Sequence, residues 1–295
     1  GGGRSEYWGG SFGATLLTMV PVLVRYLGMV VWPRHLSPAY AQPFKESADA
    51  AVLLSTLVLL AVIASGIWLF RRNRPLASWL GVAGITILPV AQLVPLVTLM
   101  NDRYLYFPLL GFAALMGGGV TCLADAIAPW GRRGAVAVVL LLFLALPWLT
   151  HRQAKVWQDA TTLWRHAVAV EPECGLAWLG YGHALMTDGY IPQALSATLR
   201  AYELYPQDED TLLNLGLLYK RLQVPREGRP YLLALVGQNP RNFGGWFALG
   251  ENYLLTGEKA AAEDALRRAL ALRPDEPAVA ARLAELARGA GSKRN

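Results

Sequence analysis

The chain has 295 residues, 54% of them hydrophobic and 16% charged, with a formal net charge of +6. The layout of that charge argues against a nucleic-acid partner. Arginines gather beside apolar runs, as at Arg71, Arg72 and Arg74 or at Arg132 and Arg133, where juxtamembrane residues belong. Two cysteines, Cys122 and Cys174, with no CxxC pair and no His/Cys cluster, argue against a disulfide framework and a zinc site.

Composition changes near His151. Residues 1–150 are expected to form a transmembrane helical domain, and residues 151–295 a soluble helical repeat domain. The chain opens Gly-Gly-Gly-Arg, with no methionine and no signal peptide, and reads as part of a longer sequence. A bilayer-spanning helix needs about 20 apolar residues. The first candidate, residues 14–32, carries Arg25 near its middle, where a charge costs several kcal/mol unless it is paired or snorkels. A packed span and a helix lying in the interface both remain open there. Four further apolar stretches, at 50–70, 76–100, 104–124 and 134–150, are expected to span. The tightest basic clusters lie between the first and second of these four and between the third and fourth, which puts those loops on the cytoplasmic side. Asn101-Asp102-Arg103 and everything after His151 then face outward.

That outer loop continues as Tyr104-Leu105-Tyr106-Phe107-Pro108. Tyrosines at a membrane interface need no special explanation, since ring and hydroxyl meet different solvents. An aromatic belt with an Asp–Arg pair beside it is one reading. The other makes Arg103 a guanidinium fork for a phosphate on a lipid carrier at the membrane surface. Gly117-Gly118-Gly119 lies inside an apolar stretch and is read as allowing close helix packing. No Gly-rich phosphate loop, serine elbow or metal-ligand motif is present.

Beyond residue 151 a repeat is plain. Pro172, Pro206, Pro240 and Pro274 are spaced by 34 residues, as are Gly182, Gly216 and Gly250, and Trp178, Leu212 and Trp246. The period and signature positions resemble the tetratricopeptide repeat. Gly182 and Ala194 let the two helices of a repeat approach, large residues such as Trp178 fill the space between repeats, and each proline stops a second helix. The middle repeat, with Gly228 and Leu235 where alanine is usual, is expected to be the loosest. A half repeat (Ala160, Trp164, Ala167, Pro172), three full repeats and a capping helix at 276–288 complete the array. The half repeat's partner is expected within 148–157, continuing the last span. Groove positions carried over from the repeat pattern are Leu179, His183, Leu213, Leu217, Lys220, Arg221, Phe247, Glu251 and Leu254. Their mixture of apolar and charged groups suits a bound peptide or partner helix.

The order of features resembles one family: the transmembrane and tetratricopeptide-repeat (TMTC-type) O-mannosyltransferases and their bacterial relatives. The matching pieces are Arg25-Tyr26-Leu27, Trp32-Pro33, Leu36-Ser37-Pro38-Ala39-Tyr40, Asp102 to Pro108 with Leu110-Gly111-Phe112, Trp157-Gln158-Asp159 and Leu163-Trp164. The resemblance implies an all-α fold: part of a GT-C-like multi-span module followed by a repeat solenoid. It also implies transfer of a sugar from a polyprenyl-phosphate carrier to protein hydroxyls on the outer face. The Ala- and Arg-rich composition and the basic loops place this in a bacterial inner membrane with the repeats in the periplasm. The family's catalytic carboxylate lies in an early outer loop upstream of these residues, so no catalytic residue is assigned here. Arg103 and Arg25 become the carrier-phosphate contacts, with Asp102 orienting Arg103. The partners implied are the lipid-linked sugar donor and a protein or peptide held by the repeats. No cofactor is expected in these residues, and a divalent metal elsewhere in a longer protein stays open. Two other readings remain: a non-enzymatic membrane-anchored repeat scaffold, and a protein of the O-antigen ligase type.

Overall fold

The computed structural model describes residues 10–33, 36–93, 99–126 and 129–291. Among the described residues all regular structure is helical. The chain divides into two compact units, Gly1–Asp159 and Ala160–Asn295.

In the first unit, α1 (Phe12–Val31) begins where Ser11 accepts the Ala14 N–H at 3.1 Å, a side-chain cap for an otherwise orphan donor. Met19, Val22, Tyr26 and Met29 fall at helical spacing and are buried together. Helix α2 (Ala50–Arg72) starts on Asp49, whose carboxylate accepts the Val52 N–H at 2.9 Å. Of its residues only Val52 is buried, while Leu54, Leu57, Ile63 and Trp68 face outward. Asn73 ends α2, donating its N–H to Leu69 O at 2.7 Å, and its side chain caps α3 (Arg74–Ile87) by accepting the Leu76 N–H at 3.1 Å. A 3-10 turn at Leu88–Val90 follows α3. A second one at Asp102–Leu105 leads into α4 (Tyr106–Ala126), and α5 is Pro129–Val156.

Among the described residues, three helical segments are long and apolar enough to cross a membrane by length and composition: Phe12–Val31, Ala50–Arg72 and Asp102–Cys122. They cover all but the last residue of the stretch at 14–32, all of 50–70, and residues 104–122 of the stretch at 104–124. The stretch at 134–150 lies inside α5. The stretch at 76–100 is helical as far as Val90, with Pro89 lacking an N–H for the ladder, and its residues 94–98 lie outside the described residues. Gln92 then takes φ 60° and turns the chain. Of the three glycines at 117–119, only Gly118 is a close-approach position, where an added Cβ would meet Leu76 Cδ1 at 2.6 Å.

In the second unit α6 (Ala160–Val170) stands before three hairpins and a last helix. The hairpins are α7 (Gly175–Thr187) with α8 (Ile191–Leu204), α9 (Glu209–Arg221) with α10 (Pro225–Gln238), and α11 (Phe243–Leu255) with α12 (Lys259–Leu272). The last helix is α13 (Pro277–Gly291). Their first helices begin at 175, 209 and 243, and α13 begins at 277, so the 34-residue period of the sequence is the period of the helices. The indoles of Trp178 and Trp246 donate to Pro172 O and Pro240 O at 2.8 and 2.9 Å. The prolines that stop one helix thus anchor the next. Gly182 faces Thr198 so closely that an added Cβ would lie 2.3 Å from its Oγ1. The middle repeat fills its space differently: Gly228 packs against Gly216, and Leu232 and Leu235 are fully buried. At the positions where looseness is expected, Gly228 thus lies against Gly216 and Leu235 is fully buried.

The turns inside the hairpins supply a test. Gly189 and Gly257 take φ +85° and +82°, and the middle turn places Gln223 at φ 62°. A residue with a Cβ is disfavoured there by about 1 kcal/mol relative to glycine. Gln223→Gly is expected to raise the stability of the repeat unit by about that amount, measured by urea unfolding.

Candidate functional site

At the head of α4, three segments far apart in sequence meet. Tyr26 of α1 is fully buried; its hydroxyl donates to Asn101 O at 3.2 Å and accepts the Asn101 N–H at 2.9 Å. One phenol thereby satisfies both backbone groups of the residue that opens the turn. The Asn101 amide donates to Pro38 O at 3.2 Å, and its Oδ1 accepts the Arg103 N–H at 3.1 Å, capping the 3-10 turn. Tyr40 donates its hydroxyl to Asp102 Oδ1 while accepting the Ser37 N–H at 2.8 Å. Burial and the bond to Asp102 push the Tyr40 phenol well above its ordinary range, so it stays a donor. Further along the same loop, Lys45 N–H donates to Thr18 Oγ1 at 3.0 Å and Gln42 donates to Met100 Sδ at 3.2 Å. Beneath lies an apolar cluster of Met19, Val22, Met29, Leu99 and Leu105.

The two arginines differ. The Arg25 guanidinium lies over the Tyr40 ring, 4.6 Å from its centre, an arrangement that holds a cation in place. Arg103 is exposed, 5.9 Å from the ring centre of Tyr104, and makes no ion pair among the described residues. The expected pairing of Asp102 with Arg103 is therefore corrected: the Asp102 carboxylate is taken by Tyr40, and Asn101 positions the Arg103 backbone. Tyr106 and Phe107, each 70% exposed, continue the surface beside Arg103. A guanidinium without a carboxylate, beside aromatic rings at the end of an apolar helix, is chemically suited to an anion at a membrane surface. No group of three or more His, Cys, Asp or Glu side chains that would hold a metal occurs among the described residues.

In the repeats, the nine groove residues divide. Leu213 and Leu217 pack on a cluster containing Leu232, Val236 and Leu249, and Phe247 and Leu254 pack on Leu266 and Val279. These four serve helix packing. Arg221 donates to Met186 O at 3.2 Å, capping the preceding first helix. Lys220 and Arg282 flank Glu251, the latter at 3.0 Å, so α9, α11 and α13 are tied by one carboxylate. Burial raises the Glu251 pKa, but the hydrogen bonds and charges of Lys220 and Arg282 outweigh it and hold the carboxyl below its usual range. Leu179 is half-buried and His183 exposed.

Two arrangements were not read from the sequence. Tyr26, Ser37 and Tyr40 build the frame at the head of α4, and their signal was their membership in the family-like segments. Asn252, 1% exposed, donates to Pro225 O at 2.6 Å and accepts from Arg229 Nε at 3.1 Å. Arg229 also reaches Thr256 and Glu258, both at 2.7 Å.

The tetratricopeptide-repeat profile matches residues 151–209 and 213–277. Protein O-mannosyl-transferase TMTC1 of Mus musculus is 29% identical over 119 residues, 40% of this chain. Protein O-mannosyl-transferase TMTC3 of Mus musculus is 27% identical over 146 residues, 48% of this chain. This chain carries tetratricopeptide repeats and is similar over part of its length to TMTC-type O-mannosyl-transferases. The matched stretches span 13% and 15% of the length of those two relatives. Among solved structures, residues 41 to the end of MamA from Desulfovibrio magneticus RS-1 align with 18% identity and a TM-score of 0.42, over 49% of this chain and 81% of that one.

Proposed function

We propose that this TMTC-type chain is part of an integral-membrane glycosyltransferase that takes a sugar from a polyprenyl-phosphate carrier and attaches it to protein hydroxyls. Its repeats hold the acceptor or a partner protein. The observation that carries the reading is Arg103: exposed, without an ion-pair partner among the described residues, and set at the head of a membrane-length helix by a buried tyrosine frame. Similarity to two O-mannosyl-transferases supports it.

In this reading the Arg103 guanidinium offsets the negative charge that grows on the carrier phosphate as the sugar departs. Arg25 adds a second cation held on Tyr40. The acceptor hydroxyl needs a carboxylate to receive its proton, and Asp102, engaged by Tyr40, is not assigned that role. In this reading the site faces the periplasm or lumen.

The test is Arg103→Ala in the protein carrying this chain, assayed with a radiolabelled polyprenyl-phosphate sugar. Transfer to protein is expected to fall about 100-fold or more, the usual scale for removing one charge-stabilising donor, with the repeats folded by circular dichroism. Unchanged transfer removes Arg103 from the site. If the unaltered protein moves no label to protein at all, the chain is a membrane-anchored scaffold instead.

A further inference from the structure

The outer site poses an electrostatic problem that the structure answers. A carboxylate stands next in sequence to the arginine that is to receive a phosphate. An adjacent carboxylate opposes an incoming anion by repulsion and competes with it for the guanidinium. In this structure the Asp102 carboxylate is bonded by the Tyr40 hydroxyl and makes no ion pair with Arg103. We infer that Tyr40 is a positioning residue whose task is to keep the Asp102 carboxylate away from Arg103, leaving the guanidinium open to the carrier phosphate; this rests on the reading of Arg103 given above.

The geometry is directional. A phenol has one proton. The Ser37 N–H donates to the Tyr40 oxygen at 2.8 Å, so the hydroxyl's own proton is left for Asp102 Oδ1. Ser37 is itself fixed, 1% exposed, with its Oγ donating to Ala39 O at 2.7 Å. The Asn101 amide on Pro38 O at 3.2 Å ties the same loop to the turn that carries Asp102. The carboxylate is therefore held by a loop braced at several points, while Arg103 points to solvent beside Tyr104. The Arg25 guanidinium lies over the Tyr40 ring, 4.6 Å from its centre. A purely structural account of the Tyr40–Asp102 bond predicts that losing either partner does the same harm. The positioning account predicts opposite effects, because removing the hydroxyl frees a negative charge whereas neutralising Asp102 removes it.

The experiment measures binding of farnesyl phosphate, a short polyprenyl phosphate, to the full chain in neutral detergent, with farnesol as the uncharged control. Tyr40→Phe keeps the ring under Arg25 and is expected to weaken farnesyl phosphate about tenfold while leaving farnesol unchanged. Asp102→Asn is expected to bind as tightly as the unaltered chain or more tightly. The double variant is expected to return to the affinity of Asp102→Asn. Tyr40→Phe with undiminished affinity, Asp102→Asn as weak as Tyr40→Phe, or a double variant no better than Tyr40→Phe alone would each overturn the inference. Arg103→Ala separates the two claims: if it leaves farnesyl phosphate binding intact, the proposed phosphate contact itself is wrong. If it abolishes binding while the double variant fails to recover, only the role of Tyr40 is lost. Melting temperatures of all variants, expected within a few degrees of one another, report that the frame still folds.

Discussion

Gly111→Val is expected to push α3 and α4 apart and destabilise the first unit by about 3 kcal/mol, the upper end of ordinary overpacking. A Cβ built on Gly111 would lie 2.6 Å from both Ala83 N and Trp79 O, and 2.9 Å from Ala83 Cβ. Those first two atoms are four residues apart in one helix, the spacing of a backbone hydrogen bond. The intruding atom therefore meets main chain, which cannot rotate away as a leucine tip can. Small residues permit this kind of approach between membrane helices, where packing replaces the hydrophobic effect as the force holding them together. Thermal unfolding in detergent reads the loss. Gly117→Ala on the same helix, where an added Cβ meets nothing within 4 Å, is the control that should leave the transition unmoved or raise it slightly.

Asn252→Leu, close in volume to the native side chain, is expected to cost the repeat unit about 3 kcal/mol through stranded partners. The Asn252 amide satisfies Pro225 O and its carbonyl oxygen accepts from Arg229, in a position 1% exposed. Leucine removes both bonds at once. Arg229 would keep Thr256, Glu258 and the face of Tyr253, 4.6 Å from its ring centre. The Pro225 carbonyl, in the first turn of α10, keeps only the helical N–H four residues on and loses its second donor. Urea unfolding of the variant, followed by far-UV circular dichroism, should show a lower midpoint with an unchanged slope. Replacing Arg229 with Met in the same background should cost less than the sum of the separate changes, since the two side chains share one network.

The repeat unit was legible because its information is periodic. Proline, glycine and tryptophan at 34-residue intervals report the same contact three or four times, and the helix starts at 175, 209, 243 and 277 follow them. Asn252 and Arg229 occur once, so no period announces them, and their pairing depends on two helices already being stacked. In the first unit, hydropathy located α1, α2 and α4 but ran past the end of α3. An apolar count treats Pro89 as one more apolar residue, whereas the backbone treats it as a missing donor. The groove residues show a related limit. Phe247 and Leu254 carry the right types for a binding face, yet α13 covers that need by packing Val279 against them. Arg103 was legible as a site residue from its neighbours in sequence. Its freedom from Asp102 was not, because the competing partner, Tyr40, comes from 62 residues away.

The central claim is that the head of α4 receives the phosphate of a polyprenyl carrier, and photocrosslinking addresses it most directly. A polyprenyl phosphate bearing a photoreactive group near its phosphate, irradiated with the protein in a bilayer, is expected to label peptides containing Tyr104, Tyr106 or Phe107. That label should be competed by unlabelled polyprenyl phosphate but not by the neutral polyprenol, and it should vanish in Arg103→Ala. Labelling spread evenly along α2 and α4, or competed equally by the neutral alcohol, would contradict the account, showing a lipid-facing surface with no phosphate site at Arg103.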